Sequence, residues 1–425
     1  MGAERNDGKL AVTATIASGR DGREVGSGSR DMAFLRRLAS TGREAVGFAV
    51  GGRPHVLLNS PDLVKHVLVH GSRYSKDTPP NRFFAEHIAD GLLTSDGEAW
   101  KCQRRSLLPA FRDTAAMRQV TGECIAWASD TLDQYTKSGQ WFSIVDFMSD
   151  LTLSMTTRYL LGLDHTSFVA PLRDLGKLLD ASSSLLADSD HDVAPVRARL
   201  RSAIETSLAA AEPDQGWCRR EVIANAGDSN REVYEQIAAL LLAGYETTAN
   251  ALSWAWILLT QHPKVYRKWQ RSLDVDEFTD DTDHLFAETL RLYPPAWLMG
   301  RRAVVDDTIG RLSIRGGSII AISPYLLHRN ETHWPQPHRF DPGRFAVQGS
   351  ARSHSYAYLP FGAGARHCIG AAFARIEASA ILRSLGRNYS FEPRDPTLPS
   401  PAFKFVLRAP TSYQVRVHAR TPRQD

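Results

Sequence analysis

The stretch IAALLLAGYETTANALSWAWILL, Ile237 to Leu259, limits the folds available to this chain more than any other segment. About 20 apolar residues suffice to cross a bilayer. Glu246 and Asn250 lie near its middle, however, where an ionised group costs roughly 2.5 to 3.5 kcal/mol on the insertion scale. The segment therefore reads as a long helix inside a protein, since a helix apolar nearly all round must be enclosed by others. The chain has the material to enclose it: 425 residues, 43% hydrophobic and 23% charged. Buried Glu and Thr side chains need partners. Ala243 and Gly244 leave space beside the helix, and the Thr247 hydroxyl can reach the carbonyl of Ala243, a bond that tends to bend a helix. AGYETT, Ala243 to Thr248, reads either as a polar notch in a buried helix or as the solvated side of an amphipathic one.

No repeat or low-complexity linker divides the chain after Arg30, so one domain is expected over 29–425. Residues 1–28 mix charge, Gly and Ser without the apolar core of a signal peptide and read as a mobile tail. RDMAFLRRLAS and SPDLVKHVLV have helical spacing, while EAVGFAVGG and RPHVLLNS read as a hairpin about a Gly pair. From Trp100 to about Arg291 helical periodicity dominates, and strand-like runs return at AVVDDTIG, SIIAISP, FKFVLRAP and SYQVRVHA. The expected fold is mainly α with small β-sheets. A formal charge of +4 with scattered basic residues points away from nucleic acid. Cys102, Cys124, Cys218 and Cys368 are far apart and form no CxxC pair, which argues against a zinc site or disulfide framework and for a reducing cytoplasm. Neither a membrane span nor an oligomer is expected.

FGAGARHCIG, Phe361 to Gly370, sets Cys368 in a glycine-loosened loop before a helix-like run, Ala371 to Leu385. A free Cys is most often a small core hydrophobe or an inert thiol. Here Gly362, Gly364 and Gly370 allow the backbone to approach something bulky. Arg366 and a helix opening near Ile369 favour a thiolate, so the sulfur could be a permanent metal ligand. His367, adjacent in sequence, reads as a surface residue.

Phe361, Gly364, Arg366, Cys368 and Gly370 match F-x-x-G-x-R-x-C-x-G, and the chain resembles the cytochrome P-450 superfamily, whose haem-binding signature this is. A chance match in this length is on the order of 10⁻⁴. The resemblance implies the cytochrome P-450 fold, with haem b (iron protoporphyrin IX) between the long central helix and the cysteine loop, and Cys368 as the thiolate ligand of the iron. It extends from about Arg30 to the end. ETLR, Glu288 to Arg291, is by itself an ordinary helix pair; with LYPPAW and FDPGRF it matches the family's E-x-x-R region, and the resemblance makes Glu288, Arg291 and Arg344 a buried structural triad. In GEAWKCQRR, Trp100 and Arg104 share a helical face, usually mere packing. The family points such a pair at a haem propionate, with Arg301 a further contact and Arg302 its substitute. Glu246 and Thr247 match the acid and alcohol that relay protons to dioxygen.

The resemblance implies a monooxygenase that activates dioxygen and oxidises a lipophilic small molecule, with natural-product biosynthesis the default setting. No flavin or nicotinamide fingerprint is visible, so electrons from NAD(P)H are expected through a ferredoxin and ferredoxin reductase. Family placement assigns Phe83, Phe84, Ile88, Ala239, Ala243, Ala296, Trp297, Leu298, Met299 and Phe403 to the substrate pocket. The competing readings are a haem-thiolate enzyme of other chemistry (peroxide-driven oxidation, ring coupling, isomerisation) and a haem-binding sensor or carrier. A proline-rich opening, a Pro near Arg315 and a Gly at Arg311 are missing from the family pattern, and the stretch between Gly162 and Arg231 looks short for two roofing helices.

Overall fold

Turn chemistry sets the first elements. Gly51 and Gly52, at φ +55° and +75°, close the hairpin between Ala45–Val50 (β2) and Arg53–Leu58 (β3), as a tight two-residue turn requires. Pro61, whose fixed φ suits a first helical turn, starts helix Pro61–Val69 (α2); Ser60 before it is extended but makes no side-chain cap. Helix Gly28–Ala39 (α1) precedes this unit. Val12–Ile16 (β1), within the expected tail, forms a strand paired in parallel with β2.

The computed structural model describes residues 12–16, 28–181, 193–210, 216, 230–275, 281–346 and 354–421. The rest of the expected tail lies outside these residues. The helices that follow are Pro79–His87 (α3), Gly97–Leu107 (α4), Thr114–Ser138 (α5), Ile144–Leu161 (α6), Thr166–Ala181 (α7), Ala194–Ala210 (α8) and Asn230–Gln261 (α9). Then come Pro263–Ser272 (α10), Asp281–Leu292 (α11), Pro324–Leu327 (α12) and Ala371–Asn388 (α13). The stretch after Gly162 thus carries α7 and α8; much of what lies between α7 and Arg231 is outside the described residues.

Small sheets flank the helices. Tyr74–Ser75 (β4), Met299–Ala303 (β6) and Ile319–Ile322 (β9) complete one sheet in the order β1-β2-β3-β9-β6-β4. Phe142–Ser143 (β5), Tyr389–Pro393 (β10) and Gln414–Ala419 (β13) form another, and Asp307–Ile309 (β7) with Leu312–Ile314 (β8) and Ala402–Phe403 (β11) with Leu407–Arg408 (β12) form two hairpins. AVVDDTIG supplies only the end of β6 and all of β7, because the strand starts earlier, at Met299.

Helix α9 contains the long apolar stretch and is buried, Trp254 and Trp256 completely. Among the described residues no helix is long and apolar enough to cross a membrane. It lies close along α6: the Thr152 hydroxyl donates to the Tyr245 carbonyl at 3.2 Å, and a Cβ on Gly244 would come within 3.0 Å of the Thr156 methyl.

Glu288 and Arg291 are fully buried one helical turn apart on α11. Arg291 donates Nε to Glu288 Oε2 (2.7 Å) and Nη2 to Oε1 (2.9 Å). It also donates to the carbonyls of His328, Pro337 and Arg339. Arg344 Nε adds a bond to Glu288 Oε1 at 3.2 Å, and the Asp341 amide another at 2.9 Å. The network continues through His328, whose Nδ1 donates to the Arg291 carbonyl (3.2 Å) while Nε2 accepts from the Leu359 amide (2.8 Å). Burial holds His328 down at about 3, hence neutral, as that donor-acceptor pattern needs. Leu359 lies two residues before Phe361. Replacing one partner leaves the other charge buried without compensation: Arg291→Met should cost about 3–5 kcal/mol in urea unfolding.

Candidate active site

The cysteine loop is fixed by backbone contacts. Gly364 has φ +71°, and a Cβ there would fall 2.3 Å from the carbonyl oxygen of Leu68 at the end of α2. Gly362, at φ +66°, lies beside the Met299 sulfur, which brings β6 against the loop. Gly370 has an ordinary negative φ, and a Cβ there would only touch Phe111 and the Cys368 sulfur. The Cys368 amide donates to the Phe361 carbonyl at 3.0 Å. A 3-10 turn, Gly364–Arg366, precedes the cysteine, and α13 begins at Ala371.

Cys368 is accessible although protein crowds it, and Ala243 is accessible although it lies midway along the buried α9. Ala296 is exposed as well, with Phe83, Thr247, Leu298, Met299 and Phe361 half-buried. Accessible side chains thus occur midway along α9, at the entry to β6 and in the loop. Burial pushes the Cys368 thiol up; a hydrogen bond from the Gly370 amide, then Arg104 and Arg375, act the other way. A sulfur so placed needs a cation to become a thiolate.

The remaining expected pocket residues pack inward. Phe84, Ile88, Ala239 and Trp297 are buried; Trp297 donates Nε1 to the Lys404 carbonyl at 2.7 Å and meets the edge of Phe403. Phe403 also contacts Tyr325 and lies beneath the Arg36 guanidinium, in the core. Phe405, not expected from sequence, stacks on Phe84 with ring centres 5.8 Å apart.

Two guanidinium groups lie over the Trp100 ring, Arg366 at 4.1 Å and Arg104 at 5.8 Å from its centre. Arg104 donates to the His367 carbonyl at 2.8 Å, tying α4 to the cysteine loop. Arg366 donates to the Ser95 carbonyl at 2.7 Å and pairs with Asp96. Arg301 is buried on β6, its pKa lowered by burial and only partly restored by Asp96. Its neighbour Arg302, on the opposite side of the strand, pairs with Asp77. Sequence reasoning missed Lys76, whose amine donates to the Leu93 carbonyl at 2.6 Å. Burial, then Arg301 and Arg366, bring it down to about 7 against the pull of Asp96.

Lys76, Arg301 and Arg366 thus crowd around one carboxylate. Arg366 Nη1 is buried without a hydrogen-bond partner. A surplus of buried cations with an unused donor suits a group that brings carboxylates of its own, and the two propionates of a haem fit it. No sequence pattern singles out Lys76, which lies outside the motifs.

On α9 the Thr247 hydroxyl donates to the Ala243 carbonyl at 2.8 Å. The carboxylate of Glu246 pairs with Arg408 on β12. Glu377 of α13, also missed, is buried and bonded to Thr248. Burial pushes it up to about 8 from an ordinary 4.5, with Thr248 acting the other way. The folded protein therefore binds a proton that the unfolded chain releases between those values, and stability falls as pH rises through that window. Glu377→Gln should be more stable than the parent at pH 9 by up to about 5 kcal/mol, an advantage that vanishes below about pH 5, as urea unfolding at the two pH values would read.

A family model described as Cytochrome P-450 matches residues 25–210 and 221–417. The chain is 28% identical over 408 residues to cyclooctatin synthase of Streptomyces melanosporofaciens, covering 86% of each protein. It is 27% identical over 417 residues, again 86% of each, to cyclooctat-9-en-7-ol 5-monooxygenase of the same organism. Protein LUTEIN DEFICIENT 5, chloroplastic, of Arabidopsis thaliana is 26% identical over 402 residues, covering 80% of this chain and 66% of that protein.

Proposed function

Because the chain belongs to the cytochrome P-450 family and is a monooxygenase of that family, we propose that Cys368 is its haem ligand and that it oxidises a lipophilic small molecule of a natural-product pathway. The observation that carries the first part is the accessible sulfur of Cys368 in a loop whose backbone is fixed by Gly364 and by the Cys368 amide. When bound, the haem supplies the oxygen-activating chemistry and the oxidation of the substrate C–H bond. The cysteine would be held in register by Arg104 through the His367 carbonyl. Lys76, Arg301 and Arg366 would receive the carboxylates, with Arg104 and Arg366 both packed over Trp100.

Thr247 and Glu246 would hold and move protons at the distal side, and the apolar wall of Phe83, Ala243, Ala296, Leu298 and Met299 would exclude water and favour a lipophilic substrate. The names of the two Streptomyces relatives support a natural-product setting. The site predicts a red-shifted Soret band in the reduced, carbon monoxide-bound protein. Cys368→Ser should lose it, and a serine variant that kept the band would rule the assignment out.

Electrons from NAD(P)H would arrive through a ferredoxin reductase and a ferredoxin in the cytoplasm, on the cysteine side. Lys101 is exposed and bonded to Glu98 at 2.5 Å, Arg105 is exposed, and exposed Arg375 lies over Phe361 at 4.7 Å. An acidic carrier would be steered to these cations over a range of about 8 Å at physiological ionic strength. Arg105→Glu or Arg375→Glu should slow first electron transfer and flatten its salt dependence in stopped-flow reduction, with substrate affinity intact. An unchanged rate and salt slope in both would move the docking surface elsewhere.

A further inference from the structure

Lys76 directly follows β4, and both its backbone and its side chain hold the segment that leads into α4. Its amide donates to Asp96 Oδ2 at 2.6 Å and its amine to the Leu93 carbonyl at 2.6 Å. Strand β6 lies against the same place: Ser75 pairs in register with Arg302, and a Cβ on Gly300 would come within 3.1 Å of the Thr78 methyl. Lys76 as a whole is half-buried, yet burial is the largest influence on its amine.

Among the described residues three charged groups face that amine. Arg301 from β6 and Arg366 from the cysteine loop oppose its charge, and Asp96 supports it. Asp96 is already divided, one oxygen accepting from the Lys76 amide and the other paired with Arg366. Arg301 turns Nη1 to the Gly300 carbonyl at 2.8 Å, while Arg302 and Arg82 pair with Asp77. Three cations thus share one carboxylate. An arginine keeps its proton at any accessible pH, so relief of the crowding must come from the lysine. Its amine, brought down to about 7, is half neutral near neutral pH.

We propose that Lys76 couples haem loading to pH: it is the cation of the cluster that can shed its proton in the haem-free protein, and it takes one up from bulk buffer when the two haem carboxylates arrive. This rests on the reading of Cys368 and the cation cluster as the haem site. Two carboxylates change the balance from three cations and one anion to three of each, which raises the proton affinity of the amine. The lysine's contribution to holding haem is therefore full below about pH 7. It is lost as pH rises from there toward the ordinary lysine range near 10.

The test uses the full-length, haem-loaded parent, Lys76→Arg and Lys76→Met, each equilibrated with apomyoglobin as a competing haem acceptor from pH 6 to pH 9. The fraction of haem kept, read from the Soret bands, gives relative affinities. The acceptor's own pH dependence, and the proton that Cys368 loses on becoming a thiolate, are common to all three proteins. The arginine variant stays charged and the methionine variant neutral, so these two should run parallel. The parent should run with Lys76→Arg near pH 6 and fall toward Lys76→Met by pH 9, a relative loss of at least about ten-fold. With iron protoporphyrin IX dimethyl ester, which brings no carboxylates, all three should run parallel. A parent that stays parallel to Lys76→Arg across the whole range overturns the proton uptake, even if Lys76→Met fails to fold, and leaves Lys76 a structural tie to Leu93. A parent that falls away from Lys76→Arg with the ester as well as with haem overturns the link to the carboxylates. If the parent shows no thiolate Soret band at any pH, the haem reading itself falls, and this inference with it.

Discussion

The buried pair of Glu288 and Arg291 is the interaction on which the site depends. Its guanidinium serves one carboxylate and three backbone carbonyls from a segment far along the chain, so it fixes the course of an irregular stretch that has little regular structure of its own. Such a network is stable only if every donor and acceptor is met. His328 passes the constraint on: one ring nitrogen is committed to Arg291 and the other to Leu359. Only a neutral imidazole can do both, and burial keeps it neutral. The loop of Cys368 is thus hung from α11 at one end and started into α13 at the other.

The same loop is tied to the electrostatics of the opposite wall. Arg104 reaches its backbone at His367, while Arg366 reaches back to Ser95 and Asp96 before α4. The two guanidinium groups both lie over Trp100, whose ring attracts each of them. Lys76 and Arg301 add to this positive interior. A cluster of this kind costs desolvation energy that nothing within the described residues recovers in full, which is what a site built for an anionic guest looks like.

Much of this was legible in the sequence for identifiable reasons. The hairpin of β2 and β3 is dictated by two glycines that alone tolerate its φ values, and α9 by an apolar run with polar interruptions. Phe361, Gly364, Arg366, Cys368 and Gly370 stand together because a short loop must do several things at once. The cause at Gly364, the carbonyl of Leu68 in a helix far earlier in the chain, is not legible from the motif. Lys76, His328, Glu377, Arg408 and Phe405 escaped notice because their roles arise from contacts between segments distant in the chain, where no spacing rule operates. Family placement named Phe84, Ile88, Trp297 and Phe403 as pocket residues by position alone; their side chains are buried, a degree of burial that position does not convey.

Two buried acids flank the middle of α9, and their surroundings differ in kind. Glu246 meets a guanidinium from the C-terminal hairpin. Glu377 meets the hydroxyl of Thr248 and is held up at about 8 by burial. Consecutive threonines on one helix point to different sides, so Thr247 belongs to the notch beside Ala243 and Thr248 to the side facing α13. Two carboxylates of the same type thus lie in different surroundings, one beside a cation and one in an apolar site. The polar interruption that makes this stretch unfit to cross a membrane is also what lets one buried helix meet both acids, its own Glu246 and, through Thr248, Glu377 of α13.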